Sequence, residues 1–547
     1  MSLVSRLLGW MFKLPPAESY DVVVERDVKV PMPDGVTLLA DHYYPRSSGK
    51  RPTILVRSPY GRRSIFGLLN AQLFAERGFQ VFVQSCRGTF GSGGELNPFR
   101  QERADGLATL EWIKKQDWFT GDLATLGGSY LGHVQWAIAR EAQPELKAML
   151  LQVTAADFRR VTYGNLDSLA LDNMLGWANQ VNTQEQTSML SMFLNPGAAA
   201  KKIEPGWRHL PLIEVDELTI GKPVRFFREW LEHNAVGDPW WATQDHRASI
   251  PEVKAPAHLI GGWYDIFLPD TFDQYRMLKD AGRSPYLTIG PWTHVDPTGL
   301  AFGVREGVIW FRAHLLGDRR GLRELPVRIY VMGANEWRDY PKWPPADARP
   351  QRWHLQPGGG LAPAAPTESE PDRYRYDPAD PTPAVGGALL GVHSGSKDNR
   401  RLEARRDVLT YTSGPLDRDV EVIGPITAEL YVRSSLQHTD FFARLCDVHP
   451  SGRSVNICDE LLPVIPDRPA PEADGCLKLT INVWPTAHRF LRGHRIRLQV
   501  SSGAHPRFAR NTGSGEPLAT ATTLRVADQT VYHDPAHPSA ITLPVMS

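Results

Sequence analysis

The sequence predicts an α/β chain with a β-sandwich at its C-terminal end, and three features carry that expectation. Strand-like runs alternate with helical stretches up to residue 155 and again from 248 to 340, the pattern of a mainly parallel sheet covered on both faces. Between these parts, 156–247 loses the strand pattern and spaces Leu169, Leu171, Met174, Leu175 and Trp177 at helical intervals. Beyond the Pro-rich segment 341–350, short β-branched runs are separated by Pro, Gly, Asn and Asp, as in a sandwich or jelly roll. The expected division is 22–155 and 248–340 for the two parts of the α/β core, 156–247 for an inserted helical cap, and 350–547 for the sandwich.

Taken in order, Val22–Val30 and Val36–Tyr44 flank the turn Met32-Pro33-Asp34-Gly35 and read as a hairpin. Pro52–Val56 follows as an apolar strand, Gly67–Arg77 as a helix and Gln80–Ser85 as a buried strand. Ala104–Gln116 sets Leu107, Leu110 and Ile113 on one helical face. Strand Ala124–Gly127 runs straight into a helix beginning near Tyr130. After the cap, strands at Ala257–Gly261 and Tyr286–Gly290, a helix at Arg305–Leu316 and a last strand at Val327–Met332 complete the core. In the sandwich, strands are expected at Ile426–Val432, Phe441–Val448, Leu477–Val483, Ile496–Val500 and Ala540–Leu543. The Gly-, Pro- and Ala-rich stretch Pro357–Ala388 is expected to be a surface excursion.

Composition narrows the function classes. Of the 547 residues, 42% are hydrophobic and 22% charged, which is ordinary for globular domains and excludes a disordered or membrane-embedded chain. Lys+Arg and Asp+Glu are both 61, so no global basic field exists to hold nucleic acid or anionic lipid. The four cysteines, Cys86, Cys446, Cys458 and Cys476, form no C-x-x-C pair and read as buried thiols, with a Cys446–Cys476 or Cys458–Cys476 bridge as the alternative. Ser5–Leu14, with Arg6 and Lys13, is apolar but is closed by Lys-Leu-Pro-Pro rather than by a small-residue cleavage site. It reads as a short amphipathic helix, not a signal peptide. With no stretch of roughly 18 apolar residues to span a bilayer, the expectation is a cytoplasmic chain.

The chemistry begins at Gly127-Gly128-Ser129-Tyr130-Leu131-Gly132, where a strand turns into a helix. A tight turn of this kind needs small neighbours and lifts the serine oxygen away from the sheet, as in a nucleophile elbow. Its second glycine falls one place later than in G-x-S-x-G. The same serine would also suit a helix N-cap. A neutral hydroxyl needs a base, because it is a poor nucleophile at neutral pH. His294, in Gly290-Pro291-Trp292-Thr293-His294, follows a strand, and so does Asp265, in Gly261-Gly262-Trp263-Tyr264-Asp265. Each alone has an ordinary reading, a loop histidine and a turn aspartate. Their joint order of Ser, Asp, His, each after a strand of one sheet, is that of an α/β-hydrolase triad.

These segments, with Arg57-Ser58-Pro59-Tyr60-Gly61 upstream, resemble the cocaine esterase and X-Pro dipeptidyl-peptidase (CocE/NonD) family from Val22 onward. Arg406-Asp407-Val408-Leu409-Thr410-Tyr411, Asp447-Val448-His449-Pro450 and Pro506-Arg507-Phe508 resemble its jelly-roll domain. The resemblance implies triad roles for Ser129, Asp265 and His294, and an oxyanion hole made of the Tyr60 hydroxyl and the Tyr130 backbone N–H. It implies no metal and no cofactor, and a small-molecule ester or amide as substrate. One departure stands out: the family usually shows Asp-x-Arg-Gly, and this chain reads Ser85-Cys86-Arg87-Gly88, leaving Arg87 without its near carboxylate. Glu95, Glu102 and Asp105 are expected to be structural. Of the aromatic residues, Tyr163, Trp177 and Trp263 are candidates for lining a pocket.

Two rival functions follow. An aminopeptidase releasing X-Pro dipeptides would need carboxylates for a substrate ammonium, and the larger enzymes of that kind carry an N-terminal helical domain where this sheet starts by Val22. A non-catalytic binding protein would leave the Ser/Asp/His set without a purpose.

Overall fold

The computed structural model describes residues 2–46, 49–164, 168–186, 197–466 and 468–547. Ten strands make the first sheet: β1 (Val22–Pro31), β2 (Thr37–Pro45), β3 (Thr53–Ser58), β4 (Gln80–Ser85), β5 (Leu123–Gly128), β6 (Leu146–Gln152), β7 (Ala257–Tyr264), β8 (Tyr286–Thr293), β9 (Val327–Val331) and β10 (Glu336–Tyr340). Their spatial order is β1-β2-β4-β3-β5-β6-β7-β8-β9-β10. From β4 to β9 along that order every pairing is parallel, so the carboxyl ends of these strands share one edge. This is the α/β-hydrolase sheet. β3, β4 and β7 are buried at every position, as strands covered on both faces must be.

Several expectations are corrected. β6 was absent from the sequence reading because Leu-Lys-Ala-Met-Leu-Leu-Gln has no alternation and is made of good helix formers, so it reads as a continuation of the helix before it. β10 and the strands Ala348–Gln356, Leu409–Thr412, Ser454–Val464 and Ala527–Tyr532 were also not foreseen. In Ser454–Val464, Asn456, Asp459 and Glu460 are buried, and that polarity hides the strand. The helix expected at 67–77 starts at Ser64 and is interrupted by a π-helical turn at Leu68–Gln72. The one expected from 305 starts at Pro297, where the Asp296 side chain accepts from the N–H groups of Thr298 and Gly299. Pro357–Ala388 is not a simple excursion: Gly360–Ala362 and Asp372–Tyr376 are strands, the latter paired with Ala527–Tyr532 and burying Tyr374 and Tyr376.

Between β6 and β7 the described residues form the helices Phe158–Tyr163, Leu171–Thr183, Gly197–Arg208, Val215–Ile220 and Arg225–Glu232. Leu171, Met174, Leu175 and Ala178 bury one face, against which Phe226, Phe227, Trp230 and Leu231 pack in the same apolar cluster. The C-terminal β-domain has an 11-stranded, mostly antiparallel sheet. Its longest pair, Val420–Ser434 with Leu477–Phe490, runs antiparallel from Val420 opposite Phe490 to Val432 opposite Leu477, with a register shift between Pro425 and Thr427. Alternate residues along Leu477–Val483 point into the core, the signature of a sheet with one wet face.

Main-chain hydrogen bonds tie the parts together. The N–H groups of Asp172, Ala509 and Ile213 donate to the carbonyls of Pro506 (3.0 Å), Leu169 (2.8 Å) and Ala519 (2.9 Å), joining the inserted helices to the β-domain. Met332 and Ala487 join the two sheets in the same way (2.9 Å). The four cysteines are free and buried. No helix among the described residues is long and apolar enough to cross a membrane.

Candidate active site

Three strand ends deliver three side chains to the shared edge. Ser129 follows β5, Asp265 follows β7 and His294 follows β8. The His294 Nδ1–H donates to Asp265 Oδ2 at 2.7 Å, and the Ser129 hydroxyl donates to His294 Nε2 at 3.1 Å. Because an ionised carboxylate only accepts, this contact fixes the proton on Nδ1 and turns the Nε2 lone pair toward the serine. Asp265 has no solvent exposure, and its other oxygen accepts from the Phe267 N–H at 2.8 Å.

The turn at Ser129 is strained. Ser129 has φ 57° and ψ −126°, a conformation costly for a residue with a Cβ. Its N–H donates to the carbonyls of Gln152 (2.9 Å) and Val153 (3.1 Å), and the Thr154 hydroxyl donates to its carbonyl at 2.7 Å, so the end of β6 pins the turn. The displaced glycine has a packing cause. A Cβ on Gly132 would sit 2.4 Å from the Thr154 side chain, and one on Gly127 would sit 2.3 Å from the Leu131 Cβ. The close approach thus falls at 132, while Leu131 covers Gly127.

Tyr60 extends from the loop after β3. Its phenol oxygen accepts the Trp177 indole N–H at 2.8 Å. Burial pushes the Tyr60 phenol up to about 12, with hydrogen bonds to Trp177 and Ser129 pulling the other way. The hydroxyl therefore stays protonated and available as a donor near the serine. Tyr130, the first residue of the helix after Ser129, presents a backbone N–H with no intrahelical acceptor. Its ring stacks on Trp177, with centroids 6.0 Å apart and an interplanar angle of 11°, and its hydroxyl donates to Glu102 at 2.6 Å. Glu102 in turn pairs with the buried Arg57 at 2.9 Å.

Arg87 does find carboxylates. It makes two bonds to Asp105 (3.0 and 2.6 Å) and one to Asp34 (2.7 Å), both distant in sequence, while Ser85 accepts from Arg62 at 2.9 Å. Of the three aromatic candidates, Tyr163 is buried with its hydroxyl on the Trp230 carbonyl, and Trp263 is buried with its indole on the Tyr330 carbonyl. Of the three, Trp177 contacts Tyr60 and Tyr130, and its hydrogen bond to the Tyr60 oxygen is a contact that the sequence does not reveal. Near Asp265, burial raises the Asp270 carboxyl to about 7, with Arg160 at 3.8 Å opposing the shift. Donor atoms of Asp447, His449 and His494 lie within 4.8 Å of one another. They belong to the β-domain, however, and Asp447 already bonds His488 (3.1 Å) and His494 (2.8 Å).

Comparison with known proteins places the chain in a family. Residues 34–296 match the model of the X-Pro dipeptidyl-peptidase (S15 family), and 322–542 match that of the X-Pro dipeptidyl-peptidase C-terminal non-catalytic domain. The cocaine esterase of Rhodococcus sp. (strain MB1 Bresler) is 32% identical over 96% of this chain and 98% of its own. A protein of Mycobacterium bovis named as a serine esterase is 27% identical over 94% of each. Among solved structures, an α-amino acid ester hydrolase superposes with a TM-score of 0.80 at 22% identity, covering 97% of this chain and 98% of that one. An aminopeptidase from a marine sediment Thaumarchaeota archaeon does so with a TM-score of 0.78, also at 22% identity and over 97% and 98% of the two chains.

Proposed function

Since the chain belongs to the X-Pro dipeptidyl-peptidase (S15) family and is a serine hydrolase of ester or amide bonds, we propose that it cleaves small carboxylic esters through an acyl-enzyme on Ser129. The carrying observation is the continuous Ser129–His294–Asp265 hydrogen-bond chain at the carboxyl edge of the sheet. Ester rather than X-Pro peptide is favoured by the cocaine esterase, which matches over nearly the full length of both chains.

In this mechanism Ser129 Oγ attacks the substrate carbonyl carbon as His294 Nε2 takes its proton, and Asp265 stabilises the resulting imidazolium. The carbonyl oxygen becomes an oxyanion and accepts from the Tyr60 O–H and the Tyr130 N–H. Such fixed donors act where charge develops and need no reorganisation. Collapse expels the alcohol, protonated by His294. Water then repeats the cycle on the acyl-serine and frees the acid. Every step uses the chain's own groups.

The test is labelling by a fluorophosphonate, followed by mapping of the modified peptide. Label on Ser129, blocked by Ser129→Ala, supports the reading; label elsewhere sinks it. A series of p-nitrophenyl esters run beside Gly-Pro and Ala-Pro anilides decides the substrate class, and faster turnover of the anilides would replace the ester reading with a peptidase one.

A further inference from the structure

The N-terminal helix, Ser2–Met11, is amphipathic as expected, but it has two apolar stripes rather than one. The first is the anchor. Leu8, Phe12 and Leu14 pack against the core cluster, Ser5 is fully buried, and the Arg77 guanidinium holds the Pro15 carbonyl at 2.8 Å just beyond the helix. The second faces water. Leu3, Val4, Leu7, Trp10 and Met11 are all exposed, Leu3 at 80% and Trp10 at 78%. With 3.6 residues per turn, these five fall within an arc of roughly 120°.

Five large apolar side chains held in one row on an anchored helix are not the scattered exposure of an ordinary surface. The charges beside them have one sign. Arg6 lies on the helix beside the stripe and Lys13 just beyond the helix end, no acidic residue occurs before Glu18, and Glu18 is engaged by Arg51 at 3.3 Å. Arg6 is held over the exposed Tyr20 ring, 4.3 Å from its centroid, so an aromatic residue with a polar tip borders the stripe. Leucine, methionine and tryptophan on one face, with arginine, lysine and tyrosine at its edge, make the chemistry of a helix lying in a lipid headgroup layer. We propose that this stripe docks the enzyme on anionic membrane surfaces, with the helix in the plane of the interface. The equal numbers of acidic and basic residues in the whole chain do not oppose this, because the attraction is local and short-ranged. A second copy of the chain fits less well, since pairing the stripes would gather only positive charges, Arg6 and Lys13 of each copy, around the seam.

The experiment is co-sedimentation of the full chain with vesicles of phosphatidylcholine alone and of phosphatidylcholine with phosphatidylglycerol. Wild type should pellet with the anionic vesicles, weakly with the neutral ones, and much less at about 0.5 M salt, where charge is screened within a few ångströms. Leu7→Glu/Trp10→Glu should cut the bound fraction about tenfold or more, and Arg6→Glu/Lys13→Glu should abolish the preference for anionic lipid. Ester turnover in solution should be unchanged in both, which verifies their fold. Wild type remaining in the supernatant, or a Leu7→Glu/Trp10→Glu enzyme that pellets as well as wild type, overturns the proposal. A wild-type dimer that this double variant dissociates, without any vesicle binding, also overturns it and assigns the stripe to a second copy.

Discussion

The two sides of the site are built differently. On the base side, Asp265 and His294 sit at the ends of adjacent parallel strands, so their spacing follows from strand register. On the side proposed to hold the oxyanion, Tyr60 leaves the sheet on a loop, and its phenol oxygen accepts a hydrogen bond from Trp177, a residue of the inserted helices 117 positions away in sequence. One side depends on the sheet alone. The other depends on how the insertion docks, so a disturbance of the inserted helices should reach the oxyanion donor before it reaches the histidine.

That contrast can be broken at five levels. Ser129→Ala removes the group both sides serve, and kcat should fall by about 10⁴-fold or more with the thermal transition preserved. Asp265→Asn attacks the base side only. By presenting the wrong histidine tautomer it should lower kcat by about 10³- to 10⁴-fold while KM changes little, and the loss should shrink at alkaline pH. Tyr60→Phe attacks the oxyanion side and should cost about 10²- to 10³-fold in kcat; a variant within about threefold of wild type would leave Tyr60 a packing residue. Because the Tyr60 phenol is pushed up to about 12, its O–H should persist across the working range, and no alkaline loss of activity should trace to it.

Trp177→Phe is the finer probe, since it keeps most of the ring and deletes one N–H. It should lower kcat by about tenfold with little change in KM, and should add nothing in a Tyr60→Phe background. Additive losses would mean that Trp177 acts on the substrate and not through Tyr60. The smallest effect is expected at Asp270, close to the base side. Its carboxyl is raised to about 7 by burial, so the folded state binds a proton that the unfolded chain releases near pH 4. This contribution is fully present below about pH 4 and is lost as pH rises toward 7. Asp270→Asn should flatten that slope in Tm and leave kcat/KM unchanged.

What the sequence disclosed followed the same divide. Ser129, Asp265 and His294 were legible because each closes a recognisable strand and their chain order is restrictive. Tyr60 was reached only through resemblance, since nothing in its local spacing distinguishes it from a packed tyrosine. Trp177 was legible only as a pocket-lining candidate; its hydrogen bond to Tyr60 was hidden because it is a contact between distant segments. β6 was missed for a local reason: its residues, Leu-Lys-Ala-Met-Leu-Leu-Gln, do not alternate and are good helix formers. Arg87 makes the converse point, because a carboxylate absent from its own motif is supplied by Asp105 and Asp34 from elsewhere.

The hydrogen bonds from Asp172, Ala509 and Ile213 to Pro506, Leu169 and Ala519 join main chain to main chain. Backbone donors and acceptors are common to nearly every amino acid, so a joint of this kind is indifferent to which side chains flank it. Substitutions can accumulate on both surfaces while the spatial relation of insertion and β-domain persists, in keeping with folds that superpose over 97% of the chain at 22% identity. For hybrid enzymes, the consequence is that a β-domain transplanted from a distant relative should be chosen by the path of its loops through these three positions rather than by sequence similarity.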